Sequence, residues 1–280
     1  MRKLLSGNEA IALGAWEAGV AVGCGYPGTP STEILEALEP YAGVYTEWSV
    51  NEKVALEVGL GASLAGGRAL VTMKHVGVNV AADPLFTSAY TGVNAGVVVV
   101  TADDPSMHSS QNEQDNRHYA IAAKLPMFEP STPAEARGFT RAAFELSERY
   151  DTPCFLRTTT RLSHSKGVVE DVDLKLVPEK HPVAVDQNPA KYVMIPGNAR
   201  VRRVEVEARL AELRRVVETH PANVVERRGT VGVLTSGVAY SYVREVMPDA
   251  SVLKLGIVHP LPEQLIRDFA ASVETLYVVE

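Results

Sequence analysis

The chain has 280 residues, 46% of them hydrophobic and 22% charged, with a formal net charge of −7, which are the proportions of a globular protein of one large or two ordinary domains. The acidic balance and the lack of any dense Lys/Arg cluster exclude a nucleic-acid surface, and no apolar run approaches the roughly 20 residues of a membrane span. Two cysteines, Cys24 and Cys154, are too few for a metal or iron–sulfur centre in this chain alone, and with an N-terminus too interrupted for a signal peptide they indicate a reducing, cytoplasmic setting.

Residues 6–19 place Ile11, Leu13, Trp16 and several alanines at helical spacing behind Ser6 and Glu9, a capping-box pair. A short apolar strand over Val20–Gly25 is broken by Tyr26-Pro27-Gly28-Thr29-Pro30, after which Ser31 or Thr32 can cap a helix to about Leu38. Val44–Glu47 is the next strand. The stretch behind it, from Glu52 to Gly67, reads as a helix holding Gly59, Gly61, Gly66 and Gly67 among small residues. Glycine in a helix costs roughly 0.5–1 kcal/mol against alanine, so several together imply close approach of a backbone or a flat ligand. Arg68–Met73 forms a strand, Lys74-His75-Val76-Gly77 a polar loop, and Ala81–Tyr90 a helix that tolerates Pro84 in its first turn.

Gly96–Thr101 is a continuous apolar run of the kind parallel strands show. A polar loop, DDPSMHSSQNEQDNRHY, follows it. Thr132, Pro133 and Glu135 then supply N-cap, N1 and N3 of a helix to about Tyr150, and Pro153–Thr158 is a strand. This alternation predicts a doubly wound, mostly parallel α/β sheet over residues 1–165. Residues 166–228 read as a linker or extended arm, with prolines at 178, 182, 189 and 196, followed by a charged helix over Val201–Thr219. Its predicted apolar stripe is Val204, Leu210, Leu213 and Val217. Residues 229–280 begin a smaller α/β domain: strands at Val231–Thr235, Val252–Leu255 and Leu276–Val279, helices at Ala239–Val246 and Glu263–Ala271. Ending on a strand, this domain reads as truncated.

Ligands of open α/β sheets bind beyond the C-terminal strand ends, where YPGTPST, the turn before Glu52, KHVGVN and the loop after Asp103 all fall. Each has a plain alternative. Glu52 reads either as the N3 partner of Ser49 in the capping box SVNE or as a carboxylate at a site. Thr29 and Ser31 serve equally as turn and cap residues. His75 and His108 are lone histidines, and the long loop is polar enough to be solvated. YPGTP lacks the spacing of a nucleotide-phosphate loop.

Together, YPGTPSTEI, the run EKVALEVGLGASLAGGR, MKHVGVNVAADPL and ADDPSMHSSQNEQDNR resemble the N-terminal part of the α subunits of indolepyruvate ferredoxin oxidoreductases. These are members of the thiamine-diphosphate 2-oxoacid:ferredoxin oxidoreductases. VLTSGVAYSYV and KLGIVHPLPEQLIRDF resemble the family's second domain, so the likeness covers essentially the whole chain. It implies a pyrimidine-binding domain followed by a transketolase-C-like one. It also implies that Glu52 hydrogen-bonds the aminopyrimidine of thiamine diphosphate, a role suited to an acid in a small-residue, apolar setting. By the same resemblance Pro27, Gly28, Thr29 and His75 bind cofactor, and Thr29, Lys74, His108 and Arg117 face the substrate, with Gln111 as further lining. Of these Arg117 has the fixed charge that suits a 2-oxoacid carboxylate.

No Gly-Asp-Gly occurs in the sequence, so the diphosphate and its Mg²⁺ are expected in another domain. This chain itself carries no metal-ligand set. Iron–sulfur clusters are expected in a missing C-terminal region. The implied activity is oxidative decarboxylation of aryl pyruvates such as indolepyruvate to aryl-acetyl-CoA with ferredoxin as electron acceptor. The implied partners are the missing thiamine-diphosphate-binding half, a β subunit, ferredoxin, CoA and the 2-oxoacid, in an oligomer. The alternatives are another 2-oxoacid ferredoxin oxidoreductase, a non-oxidative thiamine-diphosphate decarboxylase subunit, or a non-catalytic assembly module.

Overall fold

The computed structural model describes residues 1–173 and 184–280. Strand β1 (Lys3–Ser6) enters α1 (Gly7–Glu17) through the expected capping box, with Ser6 Oγ accepting from Glu9 N at 3.1 Å and Glu9 Oε2 accepting from Ser6 N at 2.6 Å. Next come β2 (Val22–Gly25), α2 (Thr32–Leu38), β3 (Tyr45–Trp48), α3 (Glu52–Leu64), β4 (Ala69–Lys74), α4 (His75–Val80), α5 (Ala82–Thr91) and β5 (Val97–Asp103). They are followed by α6 (Arg117–Ala123), β6 (Met127–Phe128), α7 (Pro133–Arg149), β7 (Cys154–Thr159), α8 (Thr160–His164) and β8 (Lys166–Val169). Beyond residue 183 lie α9 (Pro189–Tyr192), α10 (Pro196–Val217), β9 (Val224–Glu226), β10 (Val231–Ser236), α11 (Ala239–Val246), β11 (Ser251–Leu255), β12 (Ile257–His259), α12 (Glu263–Ala271) and β13 (Thr275–Val279).

Seven strands form the main sheet in the order β12-β6-β7-β5-β4-β2-β3, and every pairing is parallel except β12 with β6. The apolar run of β5 lies at its centre with all seven residues buried. Its side chains alternate between two cores: Val98 and Val100 pack with α1, α2 and α7, whereas Val97 and Val99 pack with α3, α5 and α6. The doubly wound α/β class is therefore what the sequence pattern predicted. A four-stranded sheet, β13-β10-β11-β9, forms the second α/β unit, parallel except for β9.

Some elements differ from the sequence reading. KHVGVN is not a loop: Lys74 ends β4 and His75–Val80 form the helix α4. The stretch read as an arm opens with β8, which pairs antiparallel with β1; Pro178 and Pro182 of that reading lie outside the described residues. The buried stripe of α10 is Arg202, Val206, Leu210, Leu213 and Val217, while Val204 points outward and is 70% exposed. Arg202 is buried because its Nε donates to the Tyr90 carbonyl at 2.6 Å, and Arg209 reaches that of Ala89 at 2.8 Å, so the helix caps the end of α5.

Two helical glycines illustrate opposite constraints. A Cβ on Gly14 would lie 2.4 Å from the Arg137 carbonyl oxygen, because α1 and α7 cross backbone to backbone there, whereas a Cβ on Gly61 in α3 meets none of the described residues within 4 Å. Gly14→Ala is expected to destabilise the chain by about 1–3 kcal/mol through overpacking, against a helix-propensity gain of only ~1 kcal/mol. Gly61→Ala is expected to stabilise it by up to about 1 kcal/mol. Urea unfolding of both variants checks this, and a stabilised Gly14→Ala would sink the close-crossing account.

Candidate active site

Because β2, β3 and β4 are parallel neighbours, their C-terminal ends deliver three segments to one edge of the sheet. The segment after β2 is tied down at Gly28. Its N–H donates to Thr32 Oγ1 at 2.9 Å, and its carbonyl accepts from Ser31 N and Ser31 Oγ, each at 2.8 Å. Ser31 and Thr32 thus fasten the turn instead of capping α2, whose N-cap has no side-chain hydrogen bond. From α1, buried Asn8 donates to the Pro30 carbonyl at 2.8 Å. Pro27 is exposed, Thr29 is half-buried, and among the described residues no hydrogen bond engages the Thr29 hydroxyl.

Glu52 follows β3. The capping-box alternative requires it at N3, but the structure makes it the first residue of α3. Asn51 is the N-cap, its Oδ1 accepting from Val54 N at 3.0 Å, and Ser49 Oγ donates instead to Glu47 at 3.1 Å. Glu52 is 8% exposed and its side chain lies along the backbone of α4. A Cβ on Gly77 would come within 2.6 Å of Glu52 Cγ and Oε1 and 2.8 Å of Cδ. Among the described residues no hydrogen bond or ion pair reaches this carboxylate. A buried carboxylate without an internal partner is costly, and here its position is fixed by the cap behind it and the glycine beside it.

At the end of β4, Lys74 Nζ donates to the Ser109 carbonyl at 2.5 Å, and the Lys74 stem packs on Gly28, where an added Cβ would lie 3.0 Å from Lys74 Cβ. His75 is wholly buried. Its Nε2 sits 3.1 Å from the Asn112 carbonyl, and among the described residues no partner reaches Nδ1. With a carbonyl opposite it, Nε2 carries the proton and Nδ1 is the acceptor nitrogen. The His75 ring therefore fastens the segment after β5 and has no exposed surface. Asn116 reinforces that link by donating to the His75 carbonyl at 3.2 Å and to Thr101 Oγ1 at 2.6 Å.

The long segment after β5 is folded back by Asp104. Although burial works to raise it, hydrogen bonds from Ser110, Thr160 and Ser109 hold the Asp104 carboxyl well below the usual carboxylate range. Next to it Arg157 is buried, its Nε 2.8 Å from Asp103 and its Nη1 2.6 Å from Glu129. Burial pushes the Asp103 carboxyl up despite the arginine.

The structure thus gathers Glu52, Gly28, Thr29, Lys74 and His75 at adjoining strand ends. Arg117 lies in a different place. It binds Asp115 at 2.7 Å and Glu280 at 3.2 Å, and lines a cavity of about 310 Å³ with Glu129, Arg157, Ser236 and Tyr242. His108 is exposed and lines a cavity with Thr160, Arg161 and His164, and Gln111 is exposed as well. Sequence reasoning missed Gly77, Asn116 and the Asp103–Arg157–Glu129 cluster. For the last there was a signal, since Arg157 interrupts an apolar strand, CFLRTT, that is buried throughout.

Over residues 13–224 the chain matches the family described as pyruvate flavodoxin/ferredoxin oxidoreductase, thiamine diP-bdg. It is 49% identical over 290 residues to the indolepyruvate oxidoreductase subunit IorA of Archaeoglobus fulgidus, which covers 99% of this chain and 46% of that protein. It is 43% identical to the protein of the same name from Thermococcus kodakarensis, over 100% of this chain and 45% of the relative. The chain spans about half the length of the curated relatives it matches. A solved 2-oxoglutarate:ferredoxin oxidoreductase from Magnetococcus marinus superposes with a TM-score of 0.84 at 17% identity, covering 99% of this chain and 57% of that one, a likeness of fold. The family match and the relatives agree: the chain belongs to the thiamine-diphosphate-binding family of pyruvate flavodoxin/ferredoxin oxidoreductases.

Proposed function

We propose that this chain contributes the pyrimidine half of a thiamine-diphosphate site in an indolepyruvate:ferredoxin oxidoreductase. The whole enzyme converts aryl pyruvates to aryl-acetyl-CoA and passes the electrons to ferredoxin. Identity of 43–49% to indolepyruvate oxidoreductase subunits supports the substrate class, and the family's thiamine-diphosphate description supports the cofactor.

One observation carries the reading. Glu52 is a buried carboxylate with no partner among the described residues, braced against Gly77 at the C-terminal edge of a parallel sheet. A carboxyl group so placed can share one proton with a ring nitrogen brought from outside, which fits N1′ of an aminopyrimidine, itself a hydrogen-bond acceptor. When bound, thiamine diphosphate supplies the carbanion chemistry that decarboxylation of a 2-oxoacid needs. The chain's own residues orient it. Glu52 holds the proton shared with N1′, Gly77 keeps the volume beside the carboxylate empty, and the Gly28–Thr29 turn presents an unengaged hydroxyl toward the substrate carbonyl. His75 acts one step back by fastening the segment after β5. The diphosphate with its Mg²⁺, the iron–sulfur clusters and the β subunit belong to parts of the enzyme outside this chain.

In the complete enzyme, Glu52→Gln is expected to lower indolepyruvate-dependent dye reduction by about 10²–10⁴-fold with an unchanged melting curve. Activity surviving within a few-fold would remove Glu52 from the mechanism. Gly77→Ala forces the carboxylate aside and is expected to cost about 10–100-fold in kcat. Combined with Glu52→Asp, which draws the carboxylate back by one methylene, its additional cost should shrink, so a double-mutant cycle reads the contact directly. Additive losses in that cycle would rule out the Gly77–Glu52 coupling.

A further inference from the structure

We propose that Lys74 receives the carboxylate of the 2-oxoacid substrate. The proposal rests on the functional reading above and assigns within that site a group which the comparisons do not.

An ammonium buried without a counter-charge is unfavourable, and proteins normally pair it. Among the described residues two lysines are buried, Lys74 at 8% exposure and Lys254 at 5%. Lys254 is paired with Glu135. Lys74 has no carboxylate within ion-pair distance among the described residues, and its hydrogen bond to the Ser109 carbonyl uses one of its three donors. Two N–H groups and one positive charge are left for a ligand.

Its position suits a substrate anion. Lys74 ends β4, its stem packs on Gly28 beside Thr29, and three residues later Gly77 touches Glu52. Strands β4, β2 and β3 are adjacent, so the ammonium, the Thr29 turn and the Glu52 carboxylate leave neighbouring strand ends. The arginines of the separate Arg117 cavity are already engaged, Arg117 by Asp115 and Glu280, and Arg157 by Asp103 and Glu129. Arg117 suits a carboxylate by charge alone, but a ligand reaching it has two acidic competitors, whereas one reaching Lys74 displaces at most a neutral carbonyl.

The shared chemistry is an oxyanion, whose source is the substrate carboxylate or the cofactor diphosphate, and the test separates them. With the complete enzyme, three quantities are measured: KM for indole-3-pyruvate, Ki for its uncharged methyl ester as competitor, and Kd for thiamine diphosphate by calorimetry. Lys74→Met is expected to raise KM about 10–100-fold while Ki of the ester and Kd of the cofactor stay within about threefold. Lys74→Arg keeps the charge and should retain the preference for acid over ester. Equal weakening of acid and ester would make Lys74 a packing residue that holds Ser109, and a loss seen only in Kd would give the oxyanion to the cofactor. A selective rise in KM with Arg117→Met would move the carboxylate to Arg117. Any of these three results overturns the proposal. If the unmodified enzyme reduces no dye with indole-3-pyruvate, the functional reading fails first and the assignment of Lys74 with it.

Discussion

A carboxylate stays buried without an internal donor only where its surroundings are fixed from elsewhere. For Glu52 that fixing comes from three directions. Asn51 closes the first turn of α3 beneath it, β4 carries α4 against its flank, and Asn116 ties the start of α4 to the centre of the sheet through Thr101. Asn8 and Ser31 secure the neighbouring turn from α1 and α2. The long apolar strands therefore do more than fill a core, because they set a rigid edge on which an otherwise unfavourable group is held in one place.

Much of this edge was legible in the sequence, and the reasons differ by residue. Ser6 with Glu9, and Thr132 with Pro133 and Glu135, announce helix starts because capping is local chemistry. The valines of β5 announce a central strand because both of their faces are covered. Glu52 itself was ambiguous, since SVNE satisfies a capping box if the helix starts two residues earlier than it does. Only the backbone shows that Asn51 is the cap. KHVGVN misled for another reason: β-branched valines, a glycine and an asparagine have poor helix propensity, and packing against Glu52 and β5 overrides it. Gly77 was invisible as a contact because its partner lies 25 residues back. The pairings of β1 with β8 and of β6 with β12 bridge still longer separations that no local pattern encodes.

The two α/β units are joined by polar as well as apolar contacts. Glu135, at the start of α7, accepts from Lys254 of β11. Glu129 presses on Gly237, whose φ of +51° opens the turn after β10, and Arg117 binds Glu280. These ion pairs bracket the cavity lined by Arg157 and Tyr242. The Lys254–Glu135 pair is largely buried whereas Glu280 is exposed; a buried pair adds little net stability compared with apolar packing, but losing one partner is costly, so it favours one relative placement of the two sheets over a range of them.

Strand β12 carries a consequence of its own. It leaves the four-stranded sheet after β11 and crosses to cover β6, the outermost parallel strand of the main sheet. Detaching the C-terminal unit would uncover the unpaired amides of that strand, a template for association with other chains. The two units are therefore expected to unfold together, and amide protection at Glu129, whose N–H donates to the Gly256 carbonyl at 2.9 Å, to report on residues more than a hundred positions away.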